Sequence, residues 1–205
     1  MRRSLLTTIW RSKPFLLAAL LSLALAACSP EGPKFRSTDI TGAEFGRELA
    51  LTGHDGKPRT LADFRGKAVL VFFGYTHCPD VCPTTLADAA QALKTLGKDA
   101  DRVQVLFVTV DPERDTPEVL SKYVPAFDPR FLGLHGDGAA IRKAAKEFKI
   151  FYEKRAGKAP GAYTVDHSGQ SYVFDPQGRI RLFLRHDRLS QDLAEDLRTL
   201  LRQQS

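Results

Sequence analysis

The sequence has 205 residues, three cysteines, 43% apolar and 26% charged side chains, and a net charge of +6. This is ordinary globular composition and excludes a disordered chain, a polytopic membrane protein and a small disulfide scaffold. The surplus charge is not a nucleic-acid footprint: Arg2, Arg3, Arg11 and Lys13 sit in residues 1–27, which hold no acid, and the rest carries 26 basic against 24 acidic residues, only +2.

The first element is an address. After a basic, polar start, residues 15–27 form an apolar run broken only by Ser22. A membrane-spanning helix wants roughly 20 apolar residues, so this shorter run fits the apolar region of a secretory signal. It ends at Leu25-Ala26-Ala27-Cys28, which resembles the lipobox of bacterial lipoproteins. The resemblance implies cleavage before Cys28 and lipid on its thiol, and acyl chains hold a domain to a membrane at about 0.8 kcal/mol per buried CH₂. The expected organisation is a signal peptide over 1–27, a lipidated tether over 28–43 and one domain over 44–205. The expected location is extracytoplasmic, on the periplasmic side and membrane-anchored. Met1 and Trp10 lie in the signal, so the exported part has neither Met nor Trp and holds no thioether copper site.

Within the domain, Glu48 to Thr52 reads as a strand, and His54-Asp55-Gly56-Lys57 as a turn before a second strand. Thr60 is placed to cap one helical turn at Leu61 to Phe64. Ala68 to Phe73 is a continuous apolar run, as in a strand buried on both faces. Leu86, Ala89, Ala90, Leu93 and Leu96 recur at helical spacing up to Gly97. Val103 to Val110 is a second buried strand. Thr116-Pro117-Glu118 opens a helix that Pro125 ends. Asp137 caps a helix carrying Ile141, Ala144, Ala145 and Phe148. Ser171 to Phe174 and Ile180 to Leu184 flank the turn Asp175-Pro176-Gln177-Gly178, and Ser190 caps a last helix with Leu193, Leu197, Leu200 and Leu201 on one face. Strands separated by helices imply parallel pairing, and the closing hairpin adds antiparallel strands. The expected fold is α/β, a mixed sheet flanked by helices. A domain of this size buries roughly 70% of its unfolded surface, so its cysteines are free for chemistry.

Gly74-Tyr75-Thr76-His77-Cys78-Pro79-Asp80-Val81-Cys82-Pro83 joins the first buried strand to the first long helix. Ligand sites in open α/β sheets lie beyond the carboxyl ends of strands, and a helix start favours thiolate over thiol. If Cys78 to Cys82 is a helical turn, both thiols lie on one face. Sulfurs sharing a metal sit roughly 3.5–4 Å apart on zinc–thiolate lengths, so the spacing suits a metal without forbidding oxidation. A disulfide across so short a loop would constrain little.

A metal held by two thiolates wants a third ligand, and there are five histidines. His54 reads as a solvated turn residue, His135 as a loop or cap residue and His186 as surface. His77 is turned away from its neighbour's site by the backbone, although as a cation it would lower the thiol pKa. His167, in Val165-Asp166-His167-Ser168, reads as a loop residue before the penultimate strand; from spacing alone a satisfied loop histidine is the default. Residues 142–158 hold seven basic side chains and two acids, read as a solvated helix face and loop that could steer an acidic partner.

Three segments together resemble the Sco/SenC family of copper-delivery proteins: Gly74 to Pro83; Asp111-Pro112-Glu113-Arg114-Asp115-Thr116-Pro117; and Val165 to Ser168 followed by Tyr172 and Asp175 to Gly178. They occur in the family's order and spacing between about Glu44 and Leu201. The resemblance implies a thioredoxin-like fold with an N-terminal β-hairpin extension and an inserted β-hairpin. It implies copper binding by Cys78, Cys82 and His167. Soft thiolates suit Cu(I), and imidazole also accommodates Cu(II). Asp166 either orients His167 or starts a turn, with the turn favoured; Asp111 to Pro117 caps the next helix or lies beside the copper loop. The implied function is copper delivery to the copper-accepting subunit of cytochrome c oxidase, at its dinuclear centre, with another periplasmic copper chaperone as a donor and no nucleic acid involved. The alternative is a thiol–disulfide reductase acting through Cys78 and Cys82 on the acceptor's cysteines. A peroxidase and a Cys₂His zinc enzyme are weaker readings; no base singles itself out for the latter.

Overall fold

The computed structural model describes residues 32–203. The expected signal peptide and Cys28 lie outside the described residues. Within them no helix is long and apolar enough to cross a membrane.

The described residues form ten strands and four α-helices. The strands are β1 (Thr38–Asp39), β2 (Ala50–Gly53), β3 (Pro58–Thr60), β4 (Ala68–Gly74), β5 (Val103–Thr109), β6 (Leu132–His135), β7 (Tyr152–Ala156), β8 (Tyr163–His167), β9 (Ser171–Phe174) and β10 (Ile180–Leu184). The helices are α1 (Val81–Leu96), α2 (Pro117–Tyr123), α3 (Gly138–Glu147) and α4 (Leu189–Arg202). Eight strands form one mixed sheet in the order β1-β10-β9-β4-β5-β6-β2-β3, while β7 and β8 make a separate two-stranded sheet. β4, β5 and β6 are parallel, and β9 runs antiparallel to β4. The N-terminal hairpin is β2–β3.

The apolar runs form the centre for the expected reason. All seven residues of β4 are buried, so both faces of the sheet are covered there. α1 packs against α4, whose Leu193, Leu197, Leu200 and Leu201 are all buried. Among the described residues, the buried apolar side chains run from Leu49 to Leu201, and Phe35, Ile40 and Ala43 pack against them. The Thr60, Thr116 and Asp137 caps form: Thr60 with Asp63, Thr116 Oγ1 with the Val119 N–H and Asp137 Oδ1 with the Ala140 N–H. Gly178 closes the β9–β10 turn at φ 77°, a conformation that favours glycine.

Several local expectations change. Residues 35–43, read as tether, are built into the domain: β1 pairs with β10, and the Arg36 and Ser37 N–H groups donate to the buried Asp196 carboxylate. Ser190 is not a cap; α4 begins at Leu189 after a 3₁₀ turn, and Arg188 reaches Asp192 through two hydrogen bonds of 3.1 Å. Gly97 ends the α-helix, but a 3₁₀ turn continues to Arg102. Pro125 lies inside a 3₁₀ turn that follows α2. Residues 152–156 are a strand rather than a loop, paired along their length with Tyr163–His167. Both of their cations are paired: Lys154 with Glu113, and Arg155 with Glu153 and Asp166.

Candidate metal centre

Cys78, Cys82 and His167 come together beyond the carboxyl end of β4, their ligand atoms all within 4.8 Å of one another. Cys82 is the second residue of α1 and fully buried; Cys78 precedes the helix in the loop and is half-buried. The two thiols therefore do not stack along one helical turn as expected. Instead the Cys78 sulfur accepts the Cys82 N–H at 3.5 Å, taking one of the donors a helix start leaves unpaired. The Asp80 side chain does not supply that cap. Pro83 occupies the first turn, where its missing N–H costs nothing.

Both cysteines are free thiols. A hydrogen bond from the Cys82 thiol pulls the Cys78 pKa down to about 3, against the opposing effect of burial, with help from the Asp80 and Cys82 N–H groups. The same bond and the burial of Cys82 push its thiol far up. The pair therefore holds one proton, on Cys82, and presents a thiolate at the more exposed Cys78.

His167 is the last residue of β8, not a loop residue. Its Nδ1 lies 2.9 Å from the Ser168 carbonyl oxygen. A carbonyl only accepts, so Nδ1 carries the proton and the Nε2 lone pair is left for the sulfurs. Nε2 lies 3.3 Å from Cys82 Sγ. The ring packs edge-on to Tyr75 at a 5.8 Å centroid distance. Two sulfurs and one imidazole nitrogen thus converge, a soft set that fits Cu(I).

Asp166 neither orients His167 nor starts a turn: it lies within β8, and its carboxylate accepts from Arg155 Nε at 2.9 Å. Neighbouring strand residues point to opposite faces, which sends Asp166 away from the imidazole's side. The group that holds the ring, the Ser168 carbonyl, is a backbone atom with no sequence signature. His77 is exposed and lies outside the cluster, its Nδ1 3.1 Å from Thr76 Oγ1. His54 is not a free turn residue; its Nδ1 accepts the Gly133 N–H at 3.0 Å, and burial lowers its pKa. His135 ends β6. His186 is exposed, as expected, and lines with Cys78, Pro79, Val81 and His167 an open cleft of 570 Å³.

Gly74 makes room for the buried sulfur. A Cβ there would lie 2.7 Å from Cys82 Sγ and 2.9 Å from the Phe107 ring. The Asp111–Pro117 segment does both jobs considered for it. Thr116 caps α2, and the buried Asp115 accepts from the Thr76 N–H at 3.0 Å and from Thr109 Oγ1 at 2.7 Å. This ties the cysteine loop to the end of β5.

The SCO1/SenC family model matches residues 37–202. The mitochondrial SCO2 homolog of Bos taurus is 36% identical over 180 residues, covering 86% of this chain and 68% of that protein. The Mus musculus SCO2 homolog is 37% identical over 153 residues, 74% of this chain and 60% of that protein. The chain thus spans about 60% of the mouse relative's length. The copper-bound structure of Bradyrhizobium japonicum ScoI is 42% identical with a TM-score of 0.70, covering 78% of this chain and 100% of that one. The apo Sco1 structure from Thermus thermophilus is 44% identical with a TM-score of 0.74, over 82% and 98%. The shared fold, a mixed sheet flanked by helices, is thioredoxin-like. On this match of sequence and fold, the chain belongs to the SCO1/SenC family.

Proposed function

We propose that this protein is a membrane-tethered copper chaperone. It holds one copper ion through Cys78, Cys82 and His167 and passes it to the copper-accepting subunit of cytochrome c oxidase, where it helps metallate the dinuclear centre. The carrying observation is the convergence of the three ligand atoms within 4.8 Å, in a chain 42% identical to a ScoI solved with copper bound. A three-donor set leaves a coordination position for an incoming ligand, so copper passes by ligand exchange without ever being free. The cleft beside Cys78 and His167 is the side from which a partner's ligand reaches the ion. The Leu25-to-Cys28 segment supports lipid on Cys28 and residence on the periplasmic side of a membrane, with a second copper chaperone as donor. Metabolically supplied labelled palmitate is expected on the unaltered protein and not on Cys28→Ser; no label on the unaltered protein would overturn the lipid anchor.

The test of the metal site uses the reduced domain from Ser29, which includes the whole core, under anaerobic conditions with a competing chelator. One tightly held Cu(I) per chain, weakened by His167→Ala, is the expected result. Absence of tight binding in the unaltered domain would overturn the chaperone reading.

One observation favours a second reading. A half-exposed Cys78 thiolate beside a buried Cys82 thiol is the arrangement of an attacking and a resolving sulfur. Cys78 would attack a disulfide of the acceptor, releasing one acceptor thiol. Cys82 would then close an intramolecular disulfide and free the second. Loss of acceptor reduction in both single-cysteine variants, but not in His167→Ala, separates this activity from copper delivery.

A further inference from the structure

β7 and β8 stand apart from the eight-stranded sheet, and most of their side chains face solvent; Val165 alone is fully buried, at 4% exposure. A two-stranded hairpin is marginal in water by itself, yet this one carries His167. At one end its path is fixed by Ser168, whose N–H donates to the Phe151 carbonyl at 2.9 Å and whose Oγ accepts the Phe151 N–H at 3.0 Å. The other end is fixed by a side-chain cluster outside the ligand set. The Tyr163 hydroxyl donates to Asp111 Oδ1 at 2.8 Å. Arg114 Nη1 donates to the Tyr163 carbonyl at 3.0 Å, and its guanidinium lies 3.7 Å from the Tyr163 ring centroid. Arg114 Nε pairs with Asp111 Oδ2, and the Asp111 side chain is completely buried.

One arginine thus grips Tyr163 by its carbonyl and ring face, while the carboxylate it pairs with grips the hydroxyl. Charge-assisted hydrogen bonds to a buried carboxylate are stronger than neutral ones, and a cation over an aromatic face adds to them. The cysteines are held otherwise, by β4, α1 and the Asp115–Thr76 bond.

We propose that Asp111, Arg114 and Tyr163 form a latch that positions His167 against the two cysteines. Arg114 is the positioning residue. The centre therefore has a fixed dithiolate half and a latched, separable histidine arm. A partner that opens the latch removes the nitrogen ligand while the sulfurs keep the ion. This inference rests on the copper reading above for its consequence, but the latch itself is testable without metal.

The experiment compares the reduced domain with its Arg114→Ala, His167→Ala and double variants, by Cu(I) competition and by amide hydrogen exchange without metal. Groups that orient a metal-binding histidine are worth about 10- to 100-fold in affinity. Arg114→Ala is expected to weaken Cu(I) by about the same factor as His167→Ala, with stoichiometry unchanged. The double variant is expected to be no weaker than His167→Ala, since an effect acting through an absent side chain cannot be felt. Without metal, exchange should accelerate at Tyr163–His167 and Tyr152–Ala156 while β4 and β5 stay protected. Losses that add in the double variant, or acceleration spread evenly over the sheet, would reduce Arg114 to general stability and overturn the latch. Unchanged exchange in the hairpin would overturn it too. If His167→Ala leaves copper binding intact, His167 is not a copper ligand, and the exchange result alone decides the latch. Tyr163→Phe removes only the hydroxyl's bond to Asp111 and gives the same pattern at smaller size, covering the case in which Arg114→Ala does not fold.

Discussion

The two halves of the metal centre are built to different standards. Cys82 is fully buried at the start of a sixteen-residue helix, against a strand whose seven residues are all buried. His167 ends a strand of a peripheral hairpin. The sulfur half is set by the core and by a loop tied through Asp115; the nitrogen half depends on a few side-chain bonds at its margins. Local opening costs least where buried contacts are few. A carrier needs this division: permanent ligands to hold its cargo and a weaker one that yields to a partner.

The contrast can be broken most severely on the sulfur side. Cys82→Ala removes one of the two soft donors, and Cu(I) affinity is expected to fall about a thousandfold or more (~4 kcal/mol), read by chelator competition. Gly74→Ala leaves every ligand in place but sets a Cβ 2.7 Å from Cys82 Sγ, with the Phe107 ring at 2.9 Å leaving no retreat. Overpacking of this kind costs roughly 1–3 kcal/mol, so the denaturant midpoint should drop, and retention of wild-type stability would show that the sulfur half is softer than its burial indicates. On the nitrogen side, His167→Ala should cost about tenfold (~1.4 kcal/mol) in affinity and leave the denaturant midpoint nearly unchanged.

The protons sharpen the same comparison. Cys78 is held as a thiolate down to about pH 3 while the Cys82 thiol stays protonated. Copper binding between about pH 7 and 8, above the ordinary histidine range, should therefore release one proton per ion rather than two, measured by titration in buffers of different ionisation enthalpy. Release of two would mean that Cys78 is an ordinary thiol. The smallest effect is kinetic. An ordinary thiol near pKa 8.5 alkylates about tenfold faster per pH unit over that range. The rate at Cys78 should be nearly flat, because it is already ionised throughout.

Much of the fold was legible because buried strands and amphipathic helices write their period into the chain. Ala68 to Phe73, the Leu86-to-Leu96 spacing and the Thr116 and Asp137 caps each follow from local chemistry. The peripheral hairpin was less legible. Tyr152 to Ala156 is largely exposed, so it lacks the apolar alternation that marks a half-buried strand, and its basic residues read as a solvated loop. Ser190 misled because a good capping residue does not fix where a helix starts when a 3₁₀ turn leads directly into it.

By itself, the sequence determined which donors were on offer. The spacing of Cys78 and Cys82 after a buried strand places both thiols at one helix start, because strand, loop and helix are contiguous. It also determined, through three matched segments, that His167 was the histidine to compare with them. Tertiary structure alone decided that Cys78 stands outside the helix and is the thiolate, since that follows from which sulfur accepts the Cys82 proton and N–H. Tertiary structure also assigned the orientation of His167 to the Ser168 carbonyl rather than to Asp166. It joined Asp111 and Arg114 to Tyr163, some fifty positions along the chain. Contacts at such separation leave no period and no spacing in a sequence, because they are fixed by how strands cross the sheet.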